Sequence, residues 1–102
     1  MKLTASDTAV ITGVEEWFRA QCDGDWEHSY GFSIETTDNP GWYVEVDLAD
    51  TAWADRLLPF GREERSDSDW VQFEIREGKF IGSGGVSNLG EILWNFLSIV
   101  KA

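Results

Sequence analysis

Two runs of alternating side chains restrict what this chain can fold into more than any other feature. Tyr30, Phe32, Ile34 and Thr36 fall on one side of the first, with Ser29, Ser33 and Glu35 on the other. In the second, Trp42, Val44, Val46 and Leu48 alternate with Tyr43, Glu45 and Asp47. A period of two is that of a half-buried strand. Asp38-Asn39-Pro40-Gly41 separates the runs; proline presets φ and glycine tolerates positive φ, the order of a type II turn. An antiparallel hairpin is the expected result.

On either side of the hairpin the pattern is different. From Asp7 to Cys22, the residues Val10, Val14, Trp17, Phe18 and Cys22 recur at helical spacing and predict a helix with one buried stripe. Thr4, Ser6 or Thr12 is available to cap it, Thr12 with Glu15 forming a capping box, and Gly13 weakens it by ~1 kcal/mol. Asp23-Gly24 supplies its stop, with Gly24 free to turn left-handed. After the hairpin, Ala49 to Pro59 has no period and reads as a long connection anchored by Trp53, Leu57 and Leu58. A weak strand at Phe60 to Arg65, a polar turn at Ser66 to Asp69 and a strong strand at Trp70 to Arg76 follow. Glu77-Gly78 suits a tight turn into a short strand at Lys79 to Gly82, which Gly84-Gly85 is expected to end. Asn88 with Glu91 predicts a capping box, and Leu89, Ile92, Leu93, Phe96, Leu97 and Val100 form the stripe of a last helix. The expectation is one α+β domain over residues 1–102: a mainly antiparallel four- to five-stranded sheet, with an N-terminal and a C-terminal helix on one face.

Composition narrows the function. A formal charge of −11 repels nucleic-acid phosphates and anionic lipid and favours a basic protein surface. The most apolar run, Ile92 to Val100, falls short of the ~20 residues that span a bilayer. The opening residues Met1 to Ser6 have no apolar core of signal-peptide length, and a single cysteine forms no internal disulfide, so a cytoplasmic protein is expected.

Cys22 and His28, the only residues of their types, are the candidates for a thiol enzyme. Asp23, Asp25 and Glu27 would raise the thiol pKa, and no lysine or arginine lies between Arg19 and Arg56 to build an anion-binding loop. A buried structural cysteine is the better reading. The same three acids resemble the start of a calcium loop, but His28 and Ile34 stand where glycine and a bidentate acid are needed. One histidine and one cysteine make no transition-metal set. Gly82-Ser83-Gly84-Gly85 precedes a helix without the lysine of a phosphate-binding loop, so no cofactor is expected. If both helices cover the face bearing Phe32, Ile34, Val44, Val46, Phe73 and Ile75, then Glu35, Tyr43, Glu45, Asp47, Trp70, Gln72 and Glu74 share the other. That face is either an ordinary solvated surface or a protein-binding one, in which rings give contact area and carboxylates select a cationic partner.

Several of these residues also carry a family likeness. Trp17, the run from Gln21 to His28, Tyr30-Gly31, Ile34-Glu35-Thr36, the run from Asp38 to Trp42, Asp47-Leu48, Asp69-Trp70, Gly84-Gly85, Asn88-Leu89 and Glu91-Ile92-Leu93 resemble the immunity protein 53 family. The runs Gln21 to His28 and Asp38 to Trp42 are the most specific. The resemblance implies a bacterial protein of a polymorphic toxin system that neutralises its cognate toxin by stoichiometric binding, without catalysis. Its partner would be the toxin. The likeness assigns no contact residues; the chain's own acids and rings single out Asp25, Trp26, Glu27, Tyr43, Glu45, Asp47 and Trp70 for meeting a basic surface, with the protein itself a monomer or weak homodimer. Trp26, Glu27 and His28 either join that contact or lock the joint between helix and sheet. The rival is a small thiol enzyme, rhodanese-like or other, using Cys22 and His28.

Overall fold

The apolar stripe of the last helix needs a sheet to cover it, and the alternating runs provide one. The structure, a computed structural model, describes residues 5–101. Its elements are α1 (Ala5–Gln21), α2 (Trp26–Ser29), β1 (Phe32–Thr37), β2 (Gly41–Asp47), β3 (Leu58–Glu64), β4 (Trp70–Arg76), β5 (Lys79–Gly85) and α3 (Leu89–Val100). All strand pairs are antiparallel, in the order β1-β2-β5-β4-β3. This is the α+β arrangement expected, with five strands. The last strand in the chain takes the middle of the sheet.

Helix α3 packs across β5, β2 and β4. Phe96 is fully buried and meets Trp17, Phe32 and Phe80 at ring-centroid distances of 5.0, 5.4 and 5.3 Å, so one side chain joins both helices and two strands. Val44, Val46, Leu48, Phe80 and Ile92 are likewise sealed from solvent. The helix comes close because Gly82 and Gly84 face it: a Cβ on Gly82 would stand 2.7 Å from Ile92 Cγ2. Helix α1 lies chiefly against α3 and reaches the sheet through Trp17 and Phe32, whose rings are 6.4 Å apart. Gly13 belongs to that contact, since a Cβ there would stand 2.8 Å from Leu97 Cδ1.

Local chemistry agrees with the sequence at two turns and departs from it at others. Gly24, three residues past the end of α1, is left-handed at φ 97°, and Glu77 and Gly78 make the β4–β5 turn at φ 53° and 75°, the left-handed values of a two-residue hairpin loop. The β1–β2 turn is not type II: Gly41 is not at positive φ, and the Asn39–Pro40 bond is cis. Glycine stands at 41 because a Cβ would strike the Gly84 carbonyl of the neighbouring strand. Thr12 lies inside α1 and does not cap it; Thr4 is outside the described residues. The first strand starts at Phe32, because Trp26–Ser29 coil into a helical turn.

Leu57 is 74% exposed and anchors nothing, whereas Trp53 packs 5.9 Å from Trp17 and holds the 48–57 connection on the helix side of the sheet. Gly84-Gly85 continues β5, because close neighbours on both sides leave no room for side chains there: the Trp70 and Ser68 carbonyls and Asn88. Asn88 precedes α3 without a side-chain cap hydrogen bond. Its amide donates instead to Asp69 Oδ1 (2.9 Å) and Glu91 Oε1 (3.2 Å). The Arg65 guanidinium donates to Asp69, Glu91 and Glu63 in the same cluster, tying the β3–β4 turn to the start of α3. Arg65, then Asn88, holds the Asp69 carboxyl down at about 2.

Candidate functional site

The stretch from Gln21 to Tyr30 folds into a tight joint. Asp23 Oδ1 accepts the N–H groups of Asp25 and Trp26, both at 2.9 Å, and so starts α2. Glu27 reaches back: one oxygen accepts from Asp23 N (3.1 Å) and both accept from Gly24 N. Backbone N–H donation, first from Trp26 to Asp23 and first from its own residue to Glu27, holds both carboxyls below their ordinary values. Trp26 is 5% exposed; its indole donates to the Ala49 carbonyl at 3.0 Å and its ring packs edge-on to Trp17. Of the three candidate contact residues at this joint, Trp26 and Glu27 are therefore occupied in holding it. Asp25 stays exposed on a pocket of about 190 Å³ shared with Asp23, Ser29, Tyr30 and Asp50.

Cys22 lies half-buried at the end of α1, and its thiol donates to the Phe18 carbonyl at 3.3 Å. Partial desolvation, then the charges of Glu27 and Asp23, push the thiol pKa up. That is opposite to what an activated nucleophile needs. His28 is exposed. Among the described residues, no group of three or more His, Cys, Asp or Glu side chains is placed to hold a metal ion.

The other four candidates share one face of the sheet, Tyr43, Glu45 and Asp47 along β2 and Trp70 on β4 near the end opposite Asp47. The register puts Glu35 beside Tyr43, Glu45 beside Ile81, Asp47 beside Lys79, and Trp70 beside Glu64, all facing away from α3. Among the described residues, no helix or strand covers this face, and the 48–57 connection runs on the other side. Tyr43 O–H donates to Glu45 Oε1 (2.9 Å), and Lys79 Nζ donates to Glu45 Oε2 (3.0 Å) and pairs with Asp47 Oδ1 (3.2 Å). The other Asp47 oxygen accepts from Gly31 N at 2.9 Å, so this residue links the face to the joint. Lys79, then Tyr43, lowers the Glu45 pKa, while desolvation followed by the bond to Glu45 raises that of Tyr43. Trp70 is half-buried under the Arg62 guanidinium, 4.5 Å from its ring centre.

Lys79 is the residue that sequence reasoning missed. As the opening residue of β5 it looks like a solvated strand end; only the position of β5 beside β2 sets it between two acids. Its pairing and that of Arg62 and Arg76 neutralise part of this face. Glu35 has no cationic partner among the described residues.

Fold and face together define a two-layer α+β protein whose sheet leaves one side bare, with rings and carboxylates fixed in place on it. The profile of immunity protein 53 matches residues 11–101, and the chain belongs to that family. Membership supports an immunity protein's role and suggests a non-enzymatic one. No curated protein and no solved structure matches the chain. Among the described residues, no helix is long and apolar enough to cross a membrane.

Proposed function

We propose that this chain is a stoichiometric inhibitor that acts as one domain in the cytoplasm, as a monomer or weak homodimer, and neutralises a cognate bacterial toxin by covering a basic surface on it. The observation that carries the reading is the uncovered sheet face. There Tyr43, Glu45 and Lys79 form one hydrogen-bonded group beside Asp47, so the carboxylates are held in position before a partner arrives. Groups already ordered lose little freedom on binding, and complementary charge speeds encounter. A nuclease fits as the toxin, because its substrate groove is cationic and a protein of charge −11 competes for it. Asp25, exposed at the joint beside Asp23 and Asp50, adds further negative charge.

The test is to read the genes beside this one for a toxin domain and to measure binding of its catalytically inactivated form across a salt series. Glu35→Arg combined with Trp70→Ala should weaken binding by roughly a hundredfold and flatten its salt dependence, because an unpaired acid and a ring anchor are both lost. Unchanged affinity in a variant of normal stability would exclude this face as the contact.

A further inference from the structure

The sheet has two edges, and the sequence protects only one. Edge strand β3 carries Pro59, a register break between Leu58 and Gly61, and three consecutive charges at Arg62, Glu63 and Glu64. Proline, irregularity and charge are what keep an edge from pairing with another chain. Edge strand β1, Phe-Ser-Ile-Glu-Thr-Thr, pairs with β2 without a break and holds Glu35 as its one charge.

The free side of β1 can be identified residue by residue. Asp47 N donates to Gly31 O at 3.0 Å, which makes those two a hydrogen-bonded pair; such pairs alternate along an antiparallel ladder. Ser33, Glu35 and Thr37 therefore turn their backbone groups toward β2. Phe32, Ile34 and Thr36 turn theirs outward. The flanks of this edge differ in chemistry. On the helix side, Val14, Glu15, Phe18 and Phe32 line a pocket of about 210 Å³, and Phe18 and Ile34 are 38% and 43% exposed. On the bare face stands Glu35, the acid without a cation.

We infer that β1 is completed by a strand from the partner protein: an extended segment whose alternate side chains are apolar, entering the Phe18–Phe32 pocket, and cationic, meeting Glu35. Main-chain hydrogen bonds supply affinity in such an addition and the alternate side chains supply selectivity. A second copy of this chain is the poorer occupant, since each copy carries −11. The inference rests on the toxin-binding reading and specifies how that partner is held. The added strand would also widen the bare face beyond Glu35.

The experiment is amide hydrogen exchange by NMR, with and without the same inactivated toxin domain, together with the affinity of Ile34→Pro. Proline is tolerated on an edge strand where its missing N–H faced solvent, so Ile34→Pro should keep the fold and block the edge. The expected result is fast exchange at Phe32, Ile34 and Thr36 in the free protein, slow exchange in the complex, and a loss of affinity of roughly tenfold or more in Ile34→Pro. Ser33, Glu35 and Thr37 should be slow in both states. Ile34→Val, which keeps the amide, should bind like the parent and separates the backbone effect from the side-chain one. Binding with those three amides still exchanging fast, and with Ile34→Pro unimpaired, would overturn the inference while leaving the toxin-binding reading intact. Absence of any binding would overturn that reading first. Concentration-dependent protection of the three amides in the protein alone would identify a second copy as the occupant and overturn the inference too.

Discussion

Replacing Gly82 by alanine tests the close approach of α3 to β5. The new methyl group would lie 2.7 Å from Ile92 Cγ2 and 3.1 and 3.3 Å from two atoms of the Phe80 ring. Both neighbours are 0% exposed, so neither can swing toward solvent, and α3 must lift from the sheet or the side chains must leave their rotamers. Overpacking of this kind costs about 1–3 kcal/mol. Relief of glycine's conformational entropy in a strand returns about 0.5–1 kcal/mol. The net loss should be about 1–2 kcal/mol, or about 5–15 °C in Tm for a domain of this size. Urea unfolding followed by tryptophan fluorescence is the assay, with the slope m monitored to confirm that the unfolded surface is unchanged. Gly61→Ala is the matched control, because a Cβ there meets nothing within 4 Å on edge strand β3; with nothing to overpack, its midpoint should rise by about 0.5–1 kcal/mol equivalent. Equal midpoints for the two variants would refute the claim that glycine sets the distance between α3 and β5.

Two further outcomes concern protons. Asp69 is held at about 2 by Arg65 and Asn88, below its ordinary value of 3.8, so its contribution is fully present above pH ~4 and disappears as pH falls through about 2. The stability difference between the parent and Asp69→Asn should be constant at neutral pH and shrink over that acid range in pH-dependent urea titrations; a difference independent of pH would show that the Arg65 cluster does not act through this charge. For Cys22, desolvation and two nearby acids raise the thiol pKa, so iodoacetamide should react more slowly at pH 7.5 than with a free cysteine peptide, and the rate should level off at a higher pH than the peptide's. Rapid alkylation at neutral pH would revive the thiol-enzyme reading.

Much of this architecture was legible because the signal was local. The period-two runs gave the β1–β2 hairpin, and Glu77-Gly78 gave a turn whose φ values are both positive. What escaped depended on contacts between distant segments. Gly84 and Gly85 look like a strand terminator until the Trp70 and Ser68 carbonyls are seen against them. Asn88 and Glu91 match a capping box by spacing, yet Arg65 and Asp69 draw both side chains into another network. In the candidate site, alternation was enough to put Tyr43, Glu45, Asp47 and Trp70 on one side of the sheet. It could not reveal that Trp26 lies in the core, because a tryptophan between acids has no neighbour in sequence to show that Trp17 and Ala49 will cover it.

Strand β5 separates β2 from β4, yet follows both in the chain. Until it arrives, the nascent polypeptide holds two detached hairpins that share no ladder, and the contacts that unite them span long sequence separations, which slows assembly. The bare surface stretches across both halves, from Glu35 to Trp70, so it does not exist as a surface until that final insertion. Protection by this protein would then begin late in each molecule's synthesis, and a ribosome stalled before Lys79 would leave a product with every proposed contact residue and no capacity to shield the cell.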